Sequence, residues 1–300
     1  MSKYLAYLLS KKSIKHSTIT RKIRALKSIM KHGTDLNSPD AVITFLNTCS
    51  WANGSKDIAI HSYRDYLRMI GLQQITLPQF RIEDKLPFVP LEQEIDSIVS
   101  SVRARVSIFL RILKETAVRP LEAWRIKWLD IDITNKCISI TPAKYSKARR
   151  PKITEQTLNM LLALPRRNEY VFSPSGKQDR FEDELDHFTR NYQKQRIRIA
   201  KKLQNPRLRQ ISLRTFRHWK GTMEYLRTKD IIYVKEFLGH VNIKNTLRYI
   251  HLANAITNND EHYICKVAKD SKDAVELIEN GFEFIANVPS ENLMLFRKRK

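Results

Sequence analysis

The chain has 300 residues, of which 42% are hydrophobic, and it contains only 7 glycines and 11 prolines. This composition excludes a disordered, collagen-like or low-complexity chain, and the length suits two domains of ordinary size. Lysines and arginines number 54 against 31 acidic residues, and the net charge of +23 favours a polyanionic partner, above all a nucleic acid.

Three helical patterns occupy the N-terminal part of the chain, and each combines a polar N-cap residue with apolar residues at helical spacing. We expect these helices to begin at Ser17, at Ser38 and at Ser55. Gly33 and Gly71 are predicted to end the first and the third. Lysines and arginines fill the opposite faces. Individually they suit a solvated surface, and collectively they suit a helical clamp on DNA.

Prolines interrupt the pattern between the helices of the two halves. Three prolines lie close together within the stretch 76–90, which has little apolar periodicity. Proline favours extended backbone at and before itself, so this stretch is predicted to be an interdomain linker. The sequence therefore predicts an N-terminal helical domain over 1–86 and a second domain over 87–300.

The second domain is predicted to be mainly α with a small antiparallel β-sheet. Helical spacing returns over 91–102, 105–118 and 154–164, and Pro120 is placed to begin a further helix. Between them, the stretch "KCISITPAKYSKARRPKI" alternates apolar and polar residues around a lysine-rich turn. Alternation of this kind predicts two or three short strands.

Positive charge is concentrated in one later stretch. Residues 187–223 contain eleven lysines and arginines and no acidic residue. A charged run is usually a solvated face, but a run of one sign this long repels itself unless a counter-charge is near. We expect that counter-charge to be phosphate.

The C-terminal region is expected to hold one more helix. The stretch "DSKDAVELIENGFEFI" places Val275, Leu277, Ile278 and Phe282 at helical spacing. The final "FRKRK" is expected to be a solvated basic tail.

The spacing of the cysteines and the length of the apolar runs indicate where the protein resides. Cys49, Cys137 and Cys265 are far apart and form no CxxC pair, so neither a disulfide framework nor a zinc site is expected. The apolar runs are short of a membrane span, and the N-terminus lacks a small-residue cleavage site. We also find no strongly amphipathic basic helix with an aromatic face, which an anionic membrane partner would favour. We therefore expect a soluble protein in the cytoplasm or on the nucleoid.

Five short motifs then occur in a fixed order. They are "ETAVRPLEAWRIKWLDID", "AKYSKARRPKI", "RTFRHWKGT", "FLGH" and a tyrosine nine residues after the histidine. Each motif alone is common by chance, but together, in order and at this spacing, they resemble the tyrosine recombinase and phage integrase family. The resemblance covers residues 108–251.

Residue by residue, the resemblance implies six site positions: Arg119, Lys144, Arg214, Arg217, His240 and Tyr249. Tyr249 corresponds to the family's nucleophile, and Glu122 corresponds to the acidic partner in the first motif. Lys147 is a neighbouring candidate for the lysine position. The resemblance further implies a helical SAM-like core-binding domain before the catalytic domain, and double-stranded DNA with paired inverted sites as the partner of a homotetramer.

The expected chemistry explains why these residue types are needed. Two guanidiniums can neutralise the non-bridging phosphate oxygens bidentately as charge builds in the transition state. The phenol attacks phosphorus, an ammonium protonates the leaving 5′-oxygen, and an imidazole binds the phosphate or assists proton movement. The covalent 3′-phosphotyrosine conserves the bond energy, so neither ATP nor a metal or other cofactor is expected.

One position departs from the family pattern. Arg214 stands where the family most often has histidine, three residues before Arg217. A guanidinium only donates hydrogen bonds and cannot move a proton. We therefore expect Arg214 to be an additional phosphate contact, with Lys144 and His240 left for proton transfer.

Other functions and arrangements stay open at this point. A DNA-binding protein that retains the fold without the chemistry is the main alternative, and only Arg214 favours it. A metal-dependent nuclease would need a carboxylate cluster in the basic region, which the sequence lacks there. Integrase of a mobile element and chromosome-dimer resolution are both compatible with the motifs. The C-terminal helix could dock on a neighbouring protomer or on its own domain.

Overall fold

The computed structural model describes residues 1–11, 14, 16–72, 74–82, 85–143, 146–257 and 263–299. The chain forms two compact units, Met1–Lys85 and Leu86–Lys300, and each has its own hydrophobic core. Most described residues are helical, and the strands form two small antiparallel sheets. The predicted fold class is therefore confirmed. Within the described residues, no helix is long and apolar enough to cross a membrane.

The first unit contains four helices: α1 (Ser2–Ser10), α2 (His16–Lys31), α3 (Pro39–Thr48) and α4 (Asn53–Met69). Tyr4 and Tyr63 are fully buried in its core, together with leucines from all four helices. Each buried hydroxyl has a partner, since Tyr4 donates to the Ser62 carbonyl at 2.8 Å and Tyr63 to the Leu36 carbonyl at 2.9 Å. Burial without such partners would destabilise the core.

The predicted helix starts are right at one position and wrong at two. Ser38 is the N-cap of α3, and its hydroxyl accepts from the Ala41 amide. However, α2 begins at His16 and α4 begins at Asn53, so Ser17 and Ser55 lie inside the first turn. The first-turn amides of a helix have no intrahelical partner, so polar residues are tolerated there as readily as at the N-cap.

The second unit begins with a helical layer that positions the later site. It comprises α5 (Glu92–Ser101), α6 (Ala104–Thr116), α7 (Pro120–Trp124), α8 (Glu155–Leu162), α9 (Phe181–Lys202), α10 (Leu213–Thr228), α11 (Ile231–Leu238) and α12 (Lys244–Thr257). Helix α10 packs against α6, α11 and α12. Pro120 begins α7 as predicted, because its fixed φ and missing amide suit the first helical position.

The predicted short strands lie between α7 and α8. Strand β1 (Ile131–Asp132) pairs with β2 (Cys137–Ile138), and isolated bridges join Cys137 to Lys152 and Ile140 to Arg149. The lysine-rich turn of this hairpin includes residues 144 and 145, which lie outside the described residues. The structure therefore gives no position for Lys144.

The predicted C-terminal helix is present but shorter than its apolar pattern suggested. The stretch predicted as one helix contains α13 (Ser271–Glu279), which ends before Gly281 at φ +77°, and then strand β4 (Glu283–Val288). Of the apolar residues in this pattern, Leu277 and Phe282 are buried, whereas Val275 and Ile278 are 52% and 57% exposed. The helix stops before the glycine, and the residues after it pair with β5 as a strand.

The expected basic tail is instead the middle strand of a sheet. Strand β5 (Leu293–Arg299) pairs on one side with β3 (Tyr263–Ala268) and on the other with β4. Leu295 and Phe296 are buried in two different clusters. Successive side chains of a strand point to opposite faces, so a middle strand covered on both faces is continuously apolar there.

This C-terminal segment contacts the helices that carry the later motifs. Glu291 forms an ion pair at 2.5 Å with Lys235 of α11, whose side chain is 1% exposed. The same carboxylate accepts from the Ile243 amide at 3.1 Å, immediately before α12. Burying an ammonium group is costly unless it is paired. The segment therefore fixes α11 to the start of α12 within the same unit.

Candidate active site

Arg119 and Glu122 form the first part of the site, at the start of α7. Arg119 is the residue before Pro120 and has extended backbone. Its amide donates to Glu122 Oε2 at 2.9 Å, and its Nη1 donates to Glu122 Oε1 at 3.0 Å. The Arg119 side chain remains 27% exposed, whereas the Glu122 side chain is fully buried. The carboxylate thus orients a guanidinium that still reaches solvent.

The buried carboxylate of Glu122 has three further partners on the hairpin loop. Arg149 Nη2 lies 2.6 Å from Oε2, Ser146 Oγ donates to Oε1 at 2.7 Å, and the Ala143 amide lies 3.4 Å from Oε1. Burial by itself raises the pKa of Glu122, but the charge of Arg149 and these hydrogen bonds outweigh it and lower the pKa to about 2. Glu122 is therefore an anion across the physiological range.

The same loop is fixed to the Leu-Gly-His turn. The Lys147 amide donates to the Gly239 carbonyl at 3.1 Å, and Lys147 Nζ pairs with Glu236 at 3.1 Å. Gly239 has φ +66°, and a Cβ there would lie 2.8 Å from Arg149 Nη1. The glycine thus supplies both the left-handed backbone that ends α11 and the space for the loop. Lys147, the neighbouring candidate for the lysine position, is 42% exposed and forms its ion pair with Glu236 at the surface.

Arg217 lies in the second turn of α10 with its guanidinium buried. Nη1 donates to the Ala117 carbonyl and Nη2 to the Leu238 carbonyl at 2.7 Å. Ala117 ends α6 in the left-handed conformation, two residues before Arg119. Burial lowers the pKa of Arg217 to about 10, with Tyr249 opposing and Arg119 reinforcing the shift. Arg217 therefore stays a cation at neutral pH.

His240, in the turn after α11, and Tyr249, on α12, complete the constellation. Their rings are stacked with centroids 6.3 Å apart, and Tyr249 is only 1% exposed. His240 Nδ1 lies 2.9 Å from Thr246 Oγ1, one turn before Tyr249. Burial and then the charge of Arg217 lower the pKa of His240 to about 3, so its imidazole is neutral at pH 7. Burial raises the pKa of the Tyr249 phenol, while Arg217 opposes that shift.

Two residues on α10 that the sequence analysis gave no role also contact Tyr249. The His218 ring lies 6.2 Å from the Tyr249 ring, and burial with the charges of Arg248 and Arg217 lowers its pKa to about 4. A Cβ at Gly221 would lie 2.7 Å from Tyr249 Cε1. His218 and Gly221 are three apart on one helix face, and this spacing is the signal that could have identified them.

Arg214 occupies a different environment from the other arginines. It lies exposed in the first turn of α10, three residues before Arg217 on the same face. In the described part of the chain, no carboxylate lies within ion-pair distance of it. Its charge contributes to the lowered pKa of His218. The structure thus brings Arg119, Arg217, His240 and Tyr249 together, with Arg214 at the solvent side.

No metal centre accompanies this arrangement within the described ranges, where no group of three or more histidine, cysteine or acidic side chains could hold an ion. The charged groups that converge on Tyr249 are instead arginines. This donor set suits an anionic ligand with several oxygens, such as a phosphodiester.

Comparison with known proteins identifies the same segment. The model of the phage integrase family matches residues 91–255, more than half of the chain, and this range contains all six predicted site positions. The chain is 27% identical over 166 residues to the "Probable integrase/recombinase protein MJ0367" of Methanocaldococcus jannaschii, covering 51% of this chain and 47% of that protein.

Two further similarities concern a second archaeal protein and a solved structure. The chain is 26% identical over 152 residues to the tyrosine recombinase XerA of Saccharolobus solfataricus, covering 50% of this chain and 47% of that protein. It thus spans about half the length of the curated relatives it matches. A lambda integrase tetramer bound to a Holliday junction has a TM-score of 0.62 at 13% identity, covering 83% of this chain and 75% of that chain. This last likeness shows the fold.

Because Tyr249 packs closely on Gly221, the effect of Gly221→Ala on the melting temperature should change sign when the Tyr249 ring is removed. Gly221→Ala should lower the melting temperature, because the new methyl overpacks the phenol ring. In a Tyr249→Ala background the same change should raise it, since alanine is the better helix former by about 0.5–1 kcal/mol. Thermal unfolding of both single variants and the double variant measures the cycle. Equal effects of Gly221→Ala in the two backgrounds would contradict the contact.

The lowered imidazole pKa values predict loss of stability in mild acid. Between pH 6.5 and about 4, an unfolded histidine binds a proton that folded His218 and His240 do not bind. Stability should therefore fall as pH falls through this window, and Glu122 should add a further loss as pH falls from 4.5 toward about 2. Denaturant unfolding at several pH values measures the free energy of unfolding as a function of pH. Above pH 5, this free energy should change less steeply with pH in His240→Gln than in the wild type. The exposed His251→Gln variant is the control and should keep the wild-type slope.

Proposed function

Because the chain belongs to the phage integrase family of tyrosine recombinases, we propose that it is a site-specific DNA recombinase that cleaves and rejoins duplex DNA through Tyr249. The observation that carries this proposal is the convergence of Arg119, Arg217 and His240 on one buried tyrosine. A structural tyrosine needs no such surroundings. A nucleophile attacking a phosphodiester needs cations beside it.

The two arginines supply complementary contacts to the transition state. Arg217 is held by two backbone carbonyls and Arg119 by Glu122, so neither must reorganise when charge develops on the phosphate oxygens. The phenolic oxygen of Tyr249 forms the new bond to phosphorus. Because Tyr249 is buried, the phosphate reaches it only if α12 or the side chains that cover it shift outward.

Proton transfer is assigned to Lys144 and to the imidazoles. As the P–O5′ bond breaks, the electron pair passes to the 5′-oxygen, which takes a proton from the ammonium of Lys144. His240 is neutral, and its Nδ1 is hydrogen-bonded to Thr246 Oγ1. Its Nε2 therefore remains for the phosphate or for the phenol proton. The 3′-phosphotyrosine conserves the bond energy, and a 5′-hydroxyl reverses the step without ATP or metal.

Binding and assembly follow from the same function. Positive charge extends over both units, and the acid-free stretch 187–223 contributes exposed arginines and lysines on α9 and at the start of α10. These side chains suit the phosphate backbone, which gives affinity without base choice.

Strand exchange between two duplexes requires paired inverted sites and four protomers. The N-terminal unit is assigned to core-site binding and the second unit to catalysis, in an integrase of a mobile element or virus.

The nucleophile assignment predicts a covalent adduct. Incubation with nicked suicide duplexes drawn from a sequence library should give a denaturant-stable protein–DNA species for the wild type, because the cleaved strand diffuses away before religation. Tyr249→Phe should give none, whereas Tyr225→Phe, a half-buried tyrosine in the same hydrophobic cluster, should form the adduct. DNA binding with no adduct on any duplex would instead support the non-catalytic DNA-binding protein.

The exposed position of Arg214 predicts a phosphate contact and no proton transfer. Arg214→Ala should slow adduct formation by about ten- to a hundredfold, the expected effect of losing one charge-assisted hydrogen bond. Arg214→Lys should retain part of the rate, and Arg214→His should not exceed the wild type. Single-turnover cleavage measures all three. A sharp gain from histidine or no loss from alanine would contradict this role.

A further inference from the structure

We propose that Thr246 is a positioning residue that fixes the tautomer of His240, so that Nε2 of the imidazole carries the ring proton and donates it in a hydrogen bond to the phosphate. This inference rests on the proposed function, and it selects between the two roles left open there for His240. It concerns a residue to which the five motifs give no role.

Thr246 and His240 form a buried polar pair between the Leu-Gly-His turn and α12. Thr246 has no exposed surface, and its Oγ1 lies 2.9 Å from His240 Nδ1. In the described part of the chain, neither the hydroxyl nor the imidazole has another hydrogen-bond partner. This one contact therefore satisfies the Thr246 hydroxyl.

The position of Thr246 in α12 explains why its hydroxyl is left for the imidazole. Threonines further along a helix commonly donate to the carbonyl one turn earlier, and buried Thr222 of α10 donates in this way to the His218 carbonyl at 2.8 Å. Thr246 is only the third residue of α12, and Asn242, four residues before it, precedes the helix. No helical carbonyl therefore lies one turn before Thr246.

The direction of the hydrogen bond follows from the protons that are present. The hydroxyl has one proton, and the neutral imidazole has one N–H. If Nδ1 carried the ring proton and donated to Thr246, the hydroxyl proton would be buried with no acceptor among the described residues, which is costly. If the hydroxyl donates to Nδ1 instead, the ring proton lies on Nε2. Nε2 is not fully buried, so a ligand can satisfy it.

A proton on Nε2 assigns His240 to the phosphate. Nε2–H can donate to a non-bridging oxygen, and this bond strengthens as negative charge builds there. The same nitrogen then has no lone pair for the phenol proton, because the lone pair of the neutral ring is on Nδ1 and accepts from Thr246. His240 thus keeps its proton throughout the step. Of the two imidazoles to which proton transfer is assigned, this leaves His218 to accept the Tyr249 proton as the phenol oxygen bonds to phosphorus.

The imidazole ¹⁵N resonances of the full-length protein measure the tautomer without DNA. With ¹⁵N-histidine labelling at pH 7, the His240 signals are those missing from the spectrum of His240→Gln. Nε2 should have the shift of a protonated nitrogen, and Nδ1 that of an unprotonated one. Thr246→Val, which removes the hydroxyl, should move both shifts toward a mixture of tautomers. Thr246→Ser should keep the wild-type pattern, because it keeps the hydroxyl.

Single-turnover cleavage of the suicide duplexes measures what the tautomer contributes. Thr246→Val should slow adduct formation about tenfold, the effect of weakening one hydrogen bond to a charged group, and Thr246→Ser should keep most of the rate. In a His240→Gln background, Thr246→Val should have little further effect, because the hydroxyl acts through Nδ1. Thr222→Val is the matched control, since it removes a buried hydroxyl that contacts no imidazole, and it should keep the rate.

The opposite results are equally definite. A protonated Nδ1 in the wild type overturns the inference, and so do unchanged His240 shifts in Thr246→Val. An equal loss of rate from Thr246→Val with and without His240→Gln also overturns it, because the hydroxyl would then not act through the ring. No adduct from the wild type contradicts the proposed function, whereas the spectrum still decides the tautomer. If Thr246→Val does not fold, judged by its melting curve, Thr246→Ala takes its place.

Discussion

A single carboxylate with no exposed surface, Glu122, joins the start of α7 to the hairpin loop. It orients Arg119, pairs with Arg149, and accepts hydrogen bonds from the loop that includes residue 144. A buried anion is tolerated only when cations and donors surround it. Glu122 therefore requires that the start of α7 and the hairpin loop meet in one place, whereas Arg217 is held separately by the Ala117 and Leu238 carbonyls.

The burial that satisfies Glu122 also sets the protonation of the other groups. Burial, and then the charges of the arginines around Tyr249, lower the pKa of both His218 and His240, so the site combines permanent cations with neutral imidazoles. Such a site has a strong positive field and few acidic groups, which suits a phosphodiester. The same burial raises the pKa of the Tyr249 phenol, and the charge of Arg217 opposes that shift.

Local patterns predicted much of the fold but failed at the C-terminus. Pro120 and Ser38 mark helix starts because their chemistry acts within one turn of the chain. The sheet of β3, β4 and β5 was missed because its middle strand, with Leu295 and Phe296 on opposite faces, is covered on both sides. That pattern has no alternation to detect. Only the packing of α13 and the α11–α12 region against it makes it a strand.

The sequence alone determined the family resemblance and six candidate positions, because motif order and spacing are properties of the chain. It could not determine that Arg149, His218 and Gly221 belong to the same site, since their partners lie far away in sequence or on another helix. Nor could it distinguish buried Arg217 from exposed Arg214, three residues apart. Tertiary structure decided these points, because burial and the satisfaction of a buried charge depend on which segments meet in space.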